Sequence, residues 1–149
     1  MHEGLKAAAT GAFAATVWAL QEPLDRRLFS ADYSDVAVLG KAVTRGAGWR
    51  PLGFGLHLLN GALFGVALTH RPRSFRAGPL RLALTAALVE HLCLYPLGFI
   101  VDRYHPARGE RGVAPVLGSR RGFALATWRH LVFGFVLGAL NRRSAKPRG

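Results

Sequence analysis

The sequence predicts an all-α membrane protein, a four-helix transmembrane bundle that forms one domain over residues 1–149. Two observations predict this fold class. Hydrophobic residues make up 50% of the chain and are concentrated in four long stretches. The 20 Lys and Arg residues outnumber 8 acidic residues and lie mainly between those stretches. A soluble basic domain would carry its positive charges along helix faces, so the pattern excludes a nucleic-acid-binding module.

Each apolar stretch is about as long as a helix that crosses a ~30 Å hydrocarbon core. Backbone groups in lipid must be hydrogen-bonded within their own segment, so the stretches are expected to be helices. The first stretch is Ala-rich and extends weakly through Glu22 and Pro23. The predicted spans are residues 4–24, 51–69, 80–101 and 122–140.

The connections between the spans differ in character. In the first, Ser34 and Asp35 begin a short amphipathic helix, which we expect to lie along the membrane interface. Trp49 then marks a membrane boundary. The remaining connections are a tight basic turn at 70–79 and a Gly- and Pro-rich irregular segment at 102–121, and a basic, disordered tail follows at 141–149.

The density of positive charge predicts the orientation. The short 70–81 turn and the tail place Arg and Lys against helix ends, whereas the opposite loops spread theirs over longer segments. Positive residues close to helix ends favour the cytoplasmic side. We therefore expect a multi-pass protein of the inner (plasma) membrane with both termini in the cytoplasm.

An internal repeat relates the two halves of the chain at an offset of 73 residues. At this offset Pro23 corresponds to Pro96 and His57 to His130, and two Gly positions also coincide. The halves would then be two tandem helical hairpins related by an axis along the membrane normal. The repeat also argues that the first stretch is retained as a helix, because it corresponds to the third.

The repeated glycines predict where helices pack. Gly61 and Gly65 lie four residues apart on one helix face, and so do Gly134 and Gly138. Such pairs allow a neighbouring backbone to approach closely. The sequence therefore predicts two helix–helix seams, with His57 and His130 on the same faces.

Polar residues inside the spans form the candidate site. Charged groups at this depth normally face a partner or a water-filled cavity. From a ~1.5 Å rise per residue, Glu90 and Arg129 lie at overlapping depths, which predicts an ion pair between them. The full set of intramembrane polar residues is Glu22, His57, Asn60, Glu90, His91, Arg129 and His130.

Four interpretations of this set are open. The favoured one is structural, with hydrogen bonds and one ion pair that align the helices. The second is a proton- or ion-coupled transporter or channel that uses Glu22, Glu90 and His91. The third is a haem with His57 and His130 as axial ligands. A metal site is disfavoured, because the His and Glu residues lack the spacing of a ligand set.

The function predicted from these features is that of a non-enzymatic structural, interaction or accessory subunit. The sequence has none of the common catalytic or phosphate-binding motifs, and no cofactor is expected apart from the haem alternative. The expected partners are anionic lipids at the Arg-rich ends, with a further membrane subunit or a second copy of the chain as alternatives.

A resemblance rests on three segments. They begin at Glu22 (Glu-Pro-Leu-Asp-Arg-Arg-Leu), Tyr33 (Tyr-Ser-Asp-Val) and His57 (His-Leu-Leu-Asn-Gly-Ala-Leu-Phe-Gly). In these segments the chain resembles small four-span bacterial inner-membrane proteins of unknown function. The resemblance covers most of the chain and implies a small inner-membrane protein, without assigning a role to any residue.

Overall fold

The computed structural model describes residues 2–70 and 77–144, and the described part is all-helical. Short 3₁₀ turns follow α3 at Leu68–His70 and α4 at Tyr95–Leu97. The six α-helices of the described residues are α1 (His2–Leu28), α2 (Asp35–Val43), α3 (Trp49–Ala67), α4 (Pro79–Leu94), α5 (Gly98–Tyr104) and α6 (Arg120–Ser144).

Three helical segments among the described residues are long and apolar enough to cross a membrane. They are Trp49–His70, Pro79–Tyr104 and Arg120–Arg142, and they contain three of the four predicted spans. The Ala-rich α1 is not among them, although its 27 residues make it the longest helix of the described chain. The fourth span therefore stays a prediction.

The helix ends differ from the predicted ones in three places. The third span is not continuous, because Pro96 lacks an N–H and interrupts the helix between α4 and α5. Pro23, in contrast, is accommodated inside α1, which continues to Leu28. The predicted disordered tail at 141–149 is wrong at its start, since α6 extends to Ser144, and residues 145–149 lie outside the described chain.

The short helix predicted in the first connection is confirmed as α2. Its N-cap is Ser34, whose side chain accepts a hydrogen bond from the backbone N–H of Ala37 at 3.1 Å. This contact satisfies one of the backbone donors that every helix start leaves without a partner. The segment between His105 and Ser119 is irregular, as its Gly and Pro content predicts. The basic turn falls largely in 71–76, outside the described residues.

Small residues bring the long helices together in pairs. On α3, a Cβ at Gly61 would lie 2.6 Å from the carbonyl oxygen of Gly11 in α1, and one at Gly65 would collide with the carbonyl of Ala7. On α6, a Cβ at Gly134 would lie 3.0 Å from the carbonyl oxygen of Ala83 in α4. The first pair of helices meets the second where α1 packs on α6.

The same seam on α6 continues one turn further, where a Cβ at Gly138 would lie 2.7 Å from the Cα of Leu80. A third close crossing, which the sequence analysis did not predict, joins α2 to α3. There Gly40 and Gly53 bring the two backbones into direct contact. The glycines thus determine which helices are neighbours, because only a residue without a side chain leaves room for the adjacent backbone.

The connection between α5 and α6 covers α2 at one end of the bundle. Val113 pairs with Tyr33 in an isolated β-bridge, and Lys41 of α2 donates to Glu110 at 3.1 Å and to the carbonyl oxygen of Arg111 at 3.0 Å. His105 is buried here and hydrogen bonds to the carbonyl oxygen of Val38 at 2.9 Å. These contacts make a cap over the end of the bundle that contains the candidate site.

The two halves differ where the repeat aligns their prolines. Pro23 lies within a continuous helix, whereas Pro96 ends one. The second helix of each half packs on the first through its Gly pair. The duplication stays a prediction.

Gly61→Leu should destabilise the bundle by about 1–3 kcal/mol, because a side chain at this position forces α1 and α3 apart. Gly55→Leu is the matched control on the same helix, since a Cβ there would meet no atom within 4 Å. Thermal unfolding of both variants in detergent micelles measures the difference. Equal stability of the two variants would contradict the role assigned to the α1–α3 seam.

Candidate functional site

The centre of the candidate site is Arg129, which is 1% exposed although it carries a permanent charge. Its Nε and Nη2 donate to the two carboxylate oxygens of Asp25 at 2.8 and 2.7 Å. Its Nη1 donates to Asp35 Oδ2 at 2.7 Å, and Nη2 also donates to the Tyr33 carbonyl oxygen at 3.1 Å. The guanidinium is therefore paired on both sides, as a buried cation has to be.

A second layer of contacts holds the carboxylates in place. Glu22 lies 3.7 Å from Arg129 Nη1 and accepts hydrogen bonds from the Ser34 hydroxyl and, at 2.8 Å, from the Asp35 backbone N–H. Glu22 thus stabilises the start of α2, where a negative charge interacts favourably with the helix dipole. Trp18 donates its indole N–H to Asp35 Oδ2 at 3.0 Å.

Burial and the charge of Arg129 determine the protonation of Asp35 and Tyr33. Burial alone would raise the pKa of Asp35, but the permanent charge of Arg129 outweighs it, so the pKa lies below its usual range. The phenol of Tyr33 has a raised pKa, chiefly because it is buried and also because Asp35 is close. Asp35 is therefore ionised, and Tyr33 is neutral, at neutral pH.

The predicted ion pair between Glu90 and Arg129 is wrong. Arg129 extends toward α1 and α2, where the cluster of carboxylates neutralises it. Glu90 instead has its Oε2 3.8 Å from Nε2 of His130. A prediction from depth alone missed this difference, because depth does not say which way a side chain points around the helix.

His130 has a defined orientation. Its Nδ1 lies 2.7 Å from the carbonyl oxygen of Ala126. A carbonyl only accepts, so Nδ1 carries a hydrogen and Nε2 is the atom that faces Glu90. The imidazole can therefore take up a proton at Nε2, next to a carboxylate that would neutralise it.

The other predicted histidines have different surroundings. His91 is 2% exposed, and its Nε2 is 3.0 Å from the Thr127 hydroxyl. His57 is 5% exposed, and its Nε2 has no hydrogen-bond partner. The Trp18 indole contacts both His57 and His130, with ring centroids 5.3 and 4.8 Å apart.

Two cavities adjoin the cluster and share part of their walls. The first, here called the histidine cavity, has a volume of about 210 Å³ and is lined by His57, Asn60, Glu90 and His130 together with Trp18 and Asp35. The second, here called the tyrosine cavity, has a volume of about 310 Å³ and is lined by His91, Tyr33, Tyr95 and Arg129 among largely apolar residues. Trp18, Asp35 and His130 belong to both walls.

The predicted set is therefore divided by the structure. Glu22 belongs to the ion cluster, Arg129 belongs to the cluster and also lines the tyrosine cavity, and the remaining five residues line the two cavities. Within residues 2–70 and 77–144, no three His, Cys, Asp or Glu side chains are grouped as a metal site. A haem between His57 and His130 would have to displace Trp18 from its contacts with both rings, and the haem interpretation stays a prediction.

Four residues of the site were missed by sequence reasoning: Trp18, Asp25, Tyr33 and Asp35. Asp25 follows Glu22 by three residues, a helical spacing that becomes visible only when the helix is continued past Pro23. An indole N–H in an apolar stretch requires a partner, so Trp18 also carried a signal. Asp35 was assigned to the start of α2, which concealed its second role as a partner of Arg129.

Arg129→Gln should destabilise the protein by about 3–5 kcal/mol, because Asp25 and Asp35 would be left buried without a cation. Adding Asp25→Asn should recover part of the loss, since it removes one of the uncompensated charges. Unfolding by denaturant in micelles measures both variants, with the exposed Arg81→Gln as control. If Arg129→Gln lowers the free energy of unfolding no more than Arg81→Gln does, the cluster does not stabilise the fold.

Comparisons with protein-family models, with curated proteins and with solved structures find no match to this chain.

Proposed function

We propose that the protein is a four-span integral membrane protein that conducts protons, or a cation in exchange for protons, through the histidine cavity. The observation that supports this proposal most directly is the position of Glu90. It faces His130 and the cavity instead of the permanent charge of Arg129. An intramembrane carboxylate without a permanent counter-ion is typical of a proton or cation pathway.

The fourth span of the proposal is α1. At a rise of ~1.5 Å per residue its 27 residues reach about 40 Å, which exceeds the hydrocarbon core. It packs on both α3 and α6, between two helices that are themselves apolar enough to cross the membrane. With four spans, both termini lie on one side of the membrane, and the density of positive charge supports the cytoplasmic side of the inner membrane for them.

The depth of the cavity residues fits a pathway. Glu90 is 11 residues from the start of α4 and His130 is 10 residues from the start of α6, or about 15 Å along each helix. Both helices belong to membrane-capable segments, so the two side chains lie near the middle of the proposed bilayer. His57, from α3, reaches the same cavity.

The proton step follows from the hydrogen bonds. His130 Nε2 accepts a proton from the cavity while Nδ1–H remains bonded to Ala126, and the imidazolium then pairs with the Glu90 carboxylate. The pair is neutral overall, which avoids an isolated charge at this depth. The titratable groups that line the cavity with Glu90 from the other elements are His57 from α3, His130 from α6, Asp35 from α2 and Tyr33 from the connection between α1 and α2.

Glu90→Gln should abolish proton uptake into vesicles that contain the purified protein, because an amide cannot neutralise the imidazolium that forms when His130 takes up the proton. Glu3→Gln is the control, since Glu3 is exposed at the start of α1. Uptake is followed with an entrapped pH-sensitive dye under an imposed potassium diffusion potential, after thermal unfolding has confirmed that both variants are folded. Equal uptake by the two variants would refute the proton pathway.

The topology of the proposal has its own test. Reporter fusions after Pro72 and at the C-terminus should both report the cytoplasm, whereas a fusion after Arg108 should report the opposite side. The three reporters above give the same result whether or not α1 crosses the membrane, because they follow the other three spans. A further reporter at the N-terminus is therefore needed. An N-terminus on the side opposite to the C-terminus would refute the fourth span.

A second candidate function is that of an accessory subunit, and the completeness of the Arg129 cluster favours it. Every carboxylate of that cluster is paired within the chain, so it requires no ligand. In this role the Arg-rich ends would contact anionic lipids, a partner subunit or a second copy of the chain, at about 1 kcal/mol per basic residue near an anionic surface. If lipid binding is unchanged after removal of residues 145–149, the basic residues of this tail serve only to set the membrane topology.

A further inference from the structure

Among the described residues, two buried side-chain polar atoms have no hydrogen-bond partner, Nε2 of Gln21 and Nε2 of His57, and only His57 lines the histidine cavity. The residue is 5% exposed, its Nε2 makes no hydrogen bond, and it lines the histidine cavity. A buried polar atom without a partner has a free-energy cost, and such atoms are rare in native proteins. An occupant of the cavity that can hydrogen bond to this imidazole would remove that cost.

The charge of the lining indicates the sign of that group. Asp35 and Glu90 both line the histidine cavity, and none of its lining residues within the described part of the chain is Lys or Arg. Arg129 neutralises part of the charge on Asp35 from outside this cavity, and Glu90 lies beside the titratable His130. The site therefore favours a positively charged occupant.

The other walls indicate what the charge is attached to. Trp18, Phe64 and Phe133 form connected edge-to-face contacts on one side of the cavity, with ring centroids of Trp18 and Phe133 6.0 Å apart and of Phe64 and Phe133 5.2 Å apart. Aromatic faces attract organic cations as well as alkyl groups. A volume of about 210 Å³ lies below the usual range for drug-sized ligands, so the occupant is small.

We propose that the histidine cavity binds a small primary alkylammonium ion, whose N–H groups donate to Glu90 and to Nε2 of His57 while its alkyl chain packs on Trp18 and Phe64. A primary ammonium meets all three requirements at once. It carries a positive charge, has donors for two separate acceptors and has an apolar remainder. A quaternary ammonium has no donor, and an alcohol of the same size has no charge. The inference rests on the proposed function, because the Glu90 carboxylate that pairs with the protonated His130 is also the counter-ion of the ammonium.

One carboxylate cannot neutralise the imidazolium of His130 and an ammonium ion simultaneously. Entry of the ammonium therefore requires His130 to be neutral, and protonation of His130 at Nε2 promotes release. The substrate class deduced from the cavity is thus a small organic amine that is carried in exchange for protons.

The test is a titration of the intact protein in detergent micelles, followed by tryptophan fluorescence. The probes are n-propylammonium, tetramethylammonium and n-propanol. We expect a saturable change with n-propylammonium and at least tenfold weaker binding of the other two. Trp18→Phe should remove the signal, which separates it from the fluorescence of Trp49 and Trp128.

Variants test which residues contact the ammonium ion. Glu90→Gln should weaken n-propylammonium binding at least tenfold, and His57→Asn provides a second variant if the first does not fold. Glu3→Gln should bind like the unaltered protein. Equal binding of n-propanol and n-propylammonium, or no saturable change with any probe, would overturn the inference and leave a cavity that holds water only.

The failure of this inference is distinguishable from failure of the proposed function. Proton uptake measured without any amine tests the pathway alone. If proton uptake depends on Glu90 but the protein binds no ammonium ion, the proposal of an amine substrate is overturned and the proton pathway is retained. Ammonium binding without proton uptake, both in the absence of amine and against an outward gradient of n-propylammonium, overturns the proton pathway instead.

Discussion

The burial of Arg129 is the constraint on which the rest of the structure depends. A guanidinium that is 1% exposed must be neutralised and hydrogen-bonded within the protein. Asp25 at the end of α1 and Asp35 at the start of α2 supply the partners, and they are brought there from two different elements. The cluster therefore joins α6 to α1 and holds α2 across the end of the bundle, where the loop that precedes α6 covers it.

The residues of the Arg129 cluster stabilise the fold, whereas the groups that are available for proton or ligand binding line the cavities. Four of the five guanidinium N–H groups of Arg129 donate to acceptors within the protein, which is typical of a structural ion pair. On the other side of Trp18, Glu90 and His57 lack such partners and face a cavity. Trp18 connects the two regions, because its N–H binds Asp35 while its ring contacts His57 and His130.

The glycine positions explain how these groups reach one another. Gly61 and Gly65 allow α3 to approach α1 so closely that His57 lies against Trp18. Gly134 lies four residues after His130 on α6 and brings that helix against α4, which carries Glu90. Side chains at these positions would separate the helices and enlarge the cavity. The small residues therefore position the polar ones.

The sequence by itself determined the helical class, three membrane-capable segments and the capped helix α2, because hydrophobic length and cap residues act locally. It also selected Glu90, His57 and Arg129 as polar residues within apolar surroundings. Only the tertiary structure decided their partners. The direction of a side chain depends on the rotation and tilt of each helix, which packing against other helices sets. Arg129 therefore pairs with Asp25 and Asp35, distant in sequence, and Glu90 with His130.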